Sequence, residues 1–281
     1  MATAYDVHQH LWPQPLIAAL QARSEPPCLR GDVLELAGGL WPANLAAHDP
    51  ERRLAMLDED GVDVAVLSCP PTMELDEELA DAYHDGMAEL VGASGGRFFA
   101  FSYGAIVEGF AGVCVDAAVL LDLDGAEPLC SELERRGGLL FVHPGPEDAA
   151  PGRPDWWPAV VDYTAQMQAA YASWLAEGAA RWPRLRVLFA ILAGGAPMQL
   201  ERLASRGLET RAVLHENVFL DTASYGERAL SLALATYGVG QIVYGSDAPV
   251  IERDPTLRAV RSFGQAVADA VCSDTPSRLL A

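Results

Sequence analysis

The chain has 281 residues, of which 51% are hydrophobic and 21% charged, so it can bury a sizeable core and is not expected to be disordered. Its 39 acidic and 19 basic residues give a formal charge of −20, which repels nucleic acid and anionic membrane surfaces. We therefore expect neither a nucleic acid nor a membrane among its partners. No signal peptide or membrane span is predicted, and five widely spaced cysteines fit reduced thiols in a cytoplasm.

Alternate residues near the N-terminus carry metal-binding side chains, namely Asp6, His8 and His10. In a β-strand these side chains lie on one face, with the two imidazoles roughly 6 to 7 Å apart at their α-carbons, a separation that suits two ligands of one metal ion. A helix would turn the same two imidazoles away from each other. Two histidines alone are weak evidence, because unrelated histidines also occur in such pairs.

The rest of the chain alternates strand and helix. Strands are predicted at 5–10, 62–69, 97–103, 112–115, 139–143, 185–192, 217–222 and 241–244. Helices are predicted at 49–61, 74–91, 127–136, 157–181, 198–205, 227–237 and 256–271. This order predicts an α/β fold, a closed parallel (β/α)₈ TIM barrel that forms a single domain over residues 1–281. The proline-rich region at about 12–48 is interpreted as an irregular insertion after the first strand, with a possible hairpin at 28–36.

Candidate metal ligands fall at the carboxyl ends of the predicted strands, where TIM barrels bind their ligands. His8 and His10 end the first strand, His143 ends the fifth, and Asp247 follows the eighth. Closure of a barrel places its first and eighth strands side by side. Three imidazoles and one carboxylate predict a site for one divalent ion, most readily Zn²⁺ with Mn²⁺ as the alternative, and Asp247 could also act as the catalytic base.

These residues carry a family resemblance. Three segments resemble the second amidohydrolase family, which includes aminocarboxymuconate-semialdehyde decarboxylase, resorcylate-type decarboxylases and several lactonases: Asp6-x-His8-x-His10, residues 141–144 (Phe-Val-His-Pro) and residues 244–249 (Tyr-Gly-Ser-Asp-Ala-Pro). The resemblance extends from residue 5 to about residue 280. It implies that His8, His10, His143 and Asp247 are metal ligands, that the substrate is a small molecule, and that a homodimer is plausible.

One position departs from the family pattern. Family members often carry a histidine at the end of the sixth strand, before a glycine-rich turn, where it contacts the metal-bound water. Here that position falls on Leu192, which is followed by Ala193, Gly194 and Gly195. An isobutyl group cannot donate or accept a proton, so a second metal site and a water-activating histidine from this strand are not expected.

Four residues, Tyr225, Trp12, His48 and Leu192, are candidates for contact with the substrate. Tyr225 follows the seventh strand on the catalytic side and could polarise a carbonyl, or it could simply pack within a loop. Trp12 could wall an apolar pocket, although packing of the insertion is its more ordinary role. His48 precedes a helix, where capping or surface exposure is the usual role. Leu192 makes the predicted mouth more apolar.

Three functions remain open on the sequence alone. The first is hydrolysis of an amide, ester or lactone by metal-activated water, with Asp247 as the base. The second is non-oxidative decarboxylation of a small aromatic or enol acid. The third is a metal-binding barrel without turnover. We rank hydrolysis first, because Leu192 replaces the family's histidine.

Overall fold

The computed structural model describes residues 2–147, 152–209 and 213–281 and contains the predicted barrel. The strands, numbered along the chain, are β1 (Tyr5–His10), β2 (Cys28–Arg30), β3 (Val33–Leu36), β4 (Gly39–Pro42), β5 (Val64–Ser68), β6 (Phe98–Tyr103), β7 (Gly112–Asp116), β8 (Leu139–His143), β9 (Arg186–Phe189), β10 (Val218–Asp221) and β11 (Ile242–Val243).

Eight of these strands form one sheet in the order β1-β5-β6-β7-β8-β9-β10-β11, and the adjacent pairs are parallel. The sheet closes on itself, because Val7 N donates to Tyr244 O at 2.9 Å and Asp247 N donates to His8 O at 2.8 Å. The predicted TIM-barrel fold is therefore confirmed. Closure also joins β1 to the segment after β11, which carries Asp247.

Helices follow the barrel strands, and most of them lie where the sequence predicts. Their bounds are Gln14–Ala22, Pro50–Asp60, Glu77–Ala93, Leu123–Arg136, Tyr163–Ser173, Ala179–Arg181, Leu200–Ala204, Glu227–Tyr237, Asp254–Ser262, Gln265–Asp269 and Thr275–Leu280. Wide turns at Pro158–Asp162 and Trp174–Gly178 extend the helix Tyr163–Ser173 at both ends. The predicted last helix is broken, because Gly264 has a φ of +93°. Within the described ranges, no helix is both long and apolar enough for a membrane crossing.

The helix Pro50–Asp60 shows how local sequence sets an element. The Asp49 carboxylate accepts hydrogen bonds from Glu51 N (2.8 Å) and Arg52 N (3.2 Å), which satisfies two free amides at the helix start. The helix ends at Gly61, whose φ of +67° favours glycine. Both ends agree with the prediction for 49–61.

The insertion is more regular than predicted. The helix Gln14–Ala22 begins two residues after Trp12 and buries Leu16, Ile17 and Leu20. The strands β2, β3 and β4 then form a separate antiparallel sheet, which adds a third strand to the predicted hairpin. The interpretation of residues 12–48 as irregular was wrong, because the apolar face of that first helix is long enough to pack on the core.

The sixth barrel strand is shorter than predicted. It ends at Phe189, and a left-handed turn follows at Ile191–Gly195, with φ between +47° and +80° at all five residues. Three of the five carry a Cβ, and each such residue costs about 1–2 kcal/mol in this conformation. The turn is held by tertiary contacts, such as the 2.9 Å bond from Ile191 N to Asp221 Oδ1 and the 2.7 Å bond from Gln168 Nε2 to Gly194 O.

Candidate metal centre at the barrel mouth

Three buried histidines meet at the carboxyl end of the barrel. One ring nitrogen from each of His8, His10 and His143 lies within 4.8 Å of the other two. His8 and His10 come from one face of β1, as predicted, and their Nε2 atoms are 3.1 Å apart. His143 ends β8, and its ring centroid lies 5.1 Å from that of His8 and 5.2 Å from that of His10.

The outer nitrogen of each imidazole is fixed by an acceptor. His8 Nδ1 lies 2.7 Å from the Asp221 carboxylate, and His143 Nδ1 lies 2.9 Å from Pro144 O. His10 Nδ1 lies 3.2 Å from Ser68 O and 3.1 Å from Ser68 Oγ, whose own proton is donated to Gln9 O. Since carboxylate and carbonyl oxygens only accept, all three Nδ1 atoms carry the proton.

This arrangement fits a divalent metal ion. With Nδ1 fixed by its acceptor, each imidazole turns its Nε2 atom toward the other two rings, and the Nε2 atoms of His8 and His10 are only 3.1 Å apart. A cation must lie between two such nitrogens: either a proton on His8, whose pKa the neighbouring carboxylates raise, or a metal ion that displaces this proton. Imidazole nitrogens whose other nitrogen is held by a carboxylate or carbonyl are the usual ligand arrangement for Zn²⁺ and similar ions.

Asp247 brings a carboxylate to the same point. Its Oδ1 lies 3.1 Å from His10 Nε2 and 3.6 Å from His8 Nε2. The backbone at Asp247 has a φ of +62°, a strained conformation for a residue with a Cβ. Its N–H donates to His8 O, and its carbonyl accepts from Val250 N (2.9 Å) and Ile251 N (3.3 Å), so these bonds hold the strained residue with its carboxylate facing the imidazoles.

Asp221, at the end of β10, is a site residue that the sequence reasoning missed. One of its oxygens binds His8 Nδ1, and the other accepts from Ile191 N (2.9 Å) and Ala223 N (3.0 Å). The close approach of β1 and β10 needs Gly245, where a Cβ would lie 2.7 Å from His8 Cβ. The sequence contained a signal for Asp221, because an acidic residue at the carboxyl end of a predicted barrel strand is expected to lie at the barrel mouth.

A second network of buried hydrogen bonds joins β1 to Ser246 and to Arg53 of the helix Pro50–Asp60. Asp6 Oδ1 accepts from Ser246 N (3.0 Å), beside Asp247, and its Oδ2 accepts from Gln9 Nε2 (2.7 Å). The buried guanidinium of Arg53 donates to Gln9 Oε1 (2.8 Å) and to His10 O (3.0 Å). These bonds tie the two ligand-bearing segments together.

Charges around the imidazoles set their protonation. Burial lowers the pKa of His8, but the nearby carboxylates of Asp221 and Asp247 outweigh this effect and raise that pKa to about 9. Burial lowers the pKa of His10, and it lowers the pKa of His143 well below its usual range, so these two rings are neutral at pH 7. Neutral rings are the form that binds metal.

A small cavity of about 170 Å³ opens onto this centre. Among the predicted substrate residues, Tyr225 lines it. Leu192 is only 1% exposed and is not among its lining residues, whereas its neighbour Ile191 is. The other residues that line the cavity include Pro70, Thr72, Ala159, Tyr163, Ser224, Val250 and Ile251.

The structure places Trp12 and His48 elsewhere. The two rings stack at 4.2 Å between centroids, and Trp12 N donates to His48 Nδ1 at 3.0 Å. Both residues line a separate groove of about 850 Å³, together with Pro15, Leu45 and Leu90, and neither lines the cavity at the metal centre.

Comparisons with known proteins identify the family of the chain. The family model described as amidohydrolase matches residues 5–281. The 2-amino-3-carboxymuconate-6-semialdehyde decarboxylase of Dictyostelium discoideum is 26% identical over an alignment of 240 residues, and the match covers 72% of this chain and 67% of that protein.

Solved structures share the fold along nearly the whole chain. The apo IDCase of Metarhizium anisopliae has a TM-score of 0.82 at 20% identity, with 99% of this chain and 97% of that chain covered. The 5-carboxyvanillate decarboxylase of Sphingomonas paucimobilis has a TM-score of 0.76 at 19% identity, and the match covers 100% of this chain and 99% of that chain. A dihydroxybenzoic acid decarboxylase from Polaromonas sp. JS666, solved with bound manganese and the inhibitor 2-nitroresorcinol, has a TM-score of 0.71 at 15% identity, with 100% and 97% covered.

The comparisons correct one prediction and confirm another. The ranking of hydrolysis first is contradicted, because the Dictyostelium relative and two of these three structures are decarboxylases. That ranking gave weight to Leu192, whose side chain is buried away from the cavity lining. The family resemblance, in contrast, is confirmed by a match that runs from the first strand to the end of the chain. The chain is an enzyme that belongs to the amidohydrolase family.

Proposed function

We propose that this enzyme is a metal-dependent, non-oxidative decarboxylase of a small aromatic or enol acid. The observation that carries the proposal is the position of the donor set: of the three convergent histidines, His10 and His143 line a cavity with largely aliphatic walls, together with the Asp247 carboxylate. The decarboxylase activity of the Dictyostelium relative supports the reaction class.

The size and lining of the cavity favour a small, flat substrate. At about 170 Å³ the cavity is below the roughly 300 Å³ at which pockets for drug-sized ligands begin, so it suits a single ring or a short conjugated chain. Ile191, Val250 and Ile251 offer apolar contacts for such a body. Its carboxylate end would then face the histidines.

We propose that His8, His10, His143 and Asp247 hold one divalent ion, Zn²⁺ or Mn²⁺. When bound, this ion supplies a positive charge that attracts the substrate carboxylate and stabilises electron density as the bond to CO₂ breaks. The chain's own groups orient the substrate: the aliphatic wall holds its body, and the phenol of Tyr225 can donate to one of its oxygens.

Metal analysis and CO₂ release test the proposal. Protein purified without chelator is expected to contain about one divalent ion per chain and to release CO₂ from a member of a panel of hydroxybenzoates, carboxyvanillates and enol acids. Metal at stoichiometric level with no CO₂ release from any acid in the panel would reject the decarboxylase proposal.

A single domain, a homodimer and a cytoplasmic location stay predictions from the sequence. Size-exclusion chromatography with light scattering checks the oligomeric state. A mass near 60 kDa would support the dimer, since one chain has a mass of 30.0 kDa.

A further inference from the structure

Strained backbone is concentrated at the cavity of the metal centre. In the part of the chain that the structure describes, the non-glycine residues with a positive φ are Glu74, Ile191, Leu192, Ala193, Ser224 and Asp247. Ile191, Ser224 and Asp247 line the cavity, and each lies in the segment that follows one of the last three barrel strands. Positive φ is costly for a residue with a Cβ, and such strain is often found at functional sites.

Ser224 is the residue of these three whose contribution is not explained by the metal site or the aliphatic wall. It is exposed, and it is the third residue of a β-turn that a 3.1 Å hydrogen bond from Tyr225 N to Thr222 O closes. Its φ is +68°. A positive φ at this position of a turn favours glycine or asparagine. The chain therefore keeps a serine where glycine would relieve the strain.

The hydrogen bonds that hold this turn do not use the Ser224 hydroxyl. Besides the bond that closes the turn, Ala223 N donates to Asp221 Oδ1 at 3.0 Å. The other oxygen of Asp221 lies 2.7 Å from His8 Nδ1, so the turn has a fixed position relative to the metal ligands. Since neither bond needs a side chain at Ser224, the hydroxyl serves another purpose than shaping the turn.

The charges of the cavity restrict what this hydroxyl could bind. No arginine occurs among the described residues that line the cavity, and the chain contains no lysine. One substrate carboxylate can be neutralised at the metal centre. A second carboxylate would lose its hydration without gaining a cation as partner, which is unfavourable. The group beside Ser224 is therefore expected to be a neutral one.

We propose that Ser224 binds the substrate and determines specificity: its hydroxyl makes a hydrogen bond to a neutral oxygen substituent of the acid, while the carboxylate of the acid faces the metal ligands. A serine hydroxyl both donates and accepts, so a hydroxyl, methoxy or carbonyl oxygen fits. The identity of the bound molecule as an acid rests on the proposed decarboxylase function.

Three variants of the metal-loaded enzyme separate binding from strain. Ser224→Ala keeps the Cβ and loses the hydroxyl, so KM for the decarboxylated acid should rise by about 3- to 10-fold, the usual effect of one neutral hydrogen bond, with kcat within about 2-fold. Ser224→Gly should show the same rise in KM and also a Tm higher by roughly 1–3 °C, because the strain is relieved.

Glu74→Gly is the matched control for relief of strain. Glu74 has a φ of +51° and follows the short turn Pro71–Met73, but it does not line the cavity. Its replacement by glycine should raise Tm by a similar amount and leave KM unchanged. A fall in Tm for Ser224→Gly would show that the serine side chain holds the turn, and this result would overturn the proposal.

A binding measurement tests Ser224 without turnover. Nitrophenols carry a flat nitro group in place of a carboxylate and cannot release CO₂. At a pH below the pKa of the phenols, calorimetric titration of Zn²⁺-loaded wild type should show at least one of the three isomers binding about 3-fold or more tightly than nitrobenzene. Ser224→Ala should remove most of this preference, and Glu74→Gly should keep it.

The two proposals fail in different ways. If Ser224→Ala shows the same preference for every nitrophenol isomer as wild type, or wild type shows none, the assignment of Ser224 is overturned even if wild type releases CO₂. If wild type releases no CO₂ from the panel of acids, the decarboxylase proposal is rejected, and the nitrophenol titration still decides whether Ser224 binds a neutral oxygen.

Discussion

The metal-ligand side of the barrel mouth is built from strand ends, whereas a second part of its wall is built from a strained turn. His8, His10 and His143 sit on regular strands, and each imidazole is fixed by a neighbouring acceptor. The turn at Ile191–Gly195 keeps five positive φ angles and contributes Ile191 to the cavity. Regular strands place ligands through their period of two, while the turn depends on contacts from distant segments.

Asp221 links the two regions. One oxygen orients His8, and the other binds the first amide of the strained turn. A change at the metal side should therefore abolish chemistry, a change at Asp221 should affect both regions, and a change in the turn should cost mainly stability. Variants of His10, Asp221 and Gly194 separate these three cases.

The largest effect is expected from His10→Ala. Loss of one of three imidazoles should reduce the bound metal from about one ion per chain to a trace and remove CO₂ release, because the remaining ligands no longer enclose the ion. Metal analysis after dialysis measures this. His215→Ala is the matched control, since that ring contacts Asn217 N just before β10 and not the metal centre. Equal metal content in the two variants would contradict the ligand assignment.

Asp221→Asn should have an intermediate effect. The amide keeps the shape of the side chain, but with its oxygen on Ile191 N it presents an N–H group instead of a carboxylate acceptor to His8 Nδ1–H. Such changes typically weaken metal binding or activity by about 10- to 100-fold. A chelator competition titration measures the metal affinity. The variant should stay folded in circular dichroism, because Asn can still accept from Ile191 N. Unchanged affinity would show that Asp221 serves only the turn.

Gly194→Ala tests the turn itself. A Cβ at Gly194 would lie 2.4 Å from Thr164 O, and the residue has a φ of +67°, so the change should cost roughly 3 kcal/mol in the free energy of unfolding. Gly195→Ala is the matched control. Its φ is +80°, but the nearest atom, Tyr225 Oη, would be 3.6 Å away, so only the conformational cost of about 1–2 kcal/mol applies. Denaturant unfolding measures both, and similar losses would show that close packing does not hold the turn.

The sequence predicted the metal-ligand side better than the rest of the mouth. The alternation of His8 and His10 and the strand-end position of His143 are local patterns, so their convergence followed from the barrel alone. The turn after β9 could not be foreseen, because Leu192 and Ala193 have no local preference for positive φ and adopt it only through tertiary bonds. Asp221 was overlooked although its strand-end position was visible. Tyr163 lines the cavity from the start of a helix whose position over the mouth only the fold determines.

The smallest effect on catalysis is expected from His48→Ala. Its ring stacks on Trp12 and accepts the Trp12 N–H, so its loss leaves a buried donor unpaired and should cost about 1–3 kcal/mol in the free energy of unfolding. Since neither residue lines the cavity at the metal centre, KM for the decarboxylated acid should stay close to that of wild type at a temperature where both proteins are folded. Steady-state kinetics and thermal unfolding measure the two effects separately. A large rise in KM with little loss of stability would instead show that the groove at Trp12 contributes to the substrate site. The substrate site would then include this groove in addition to the strand ends and the strained turn.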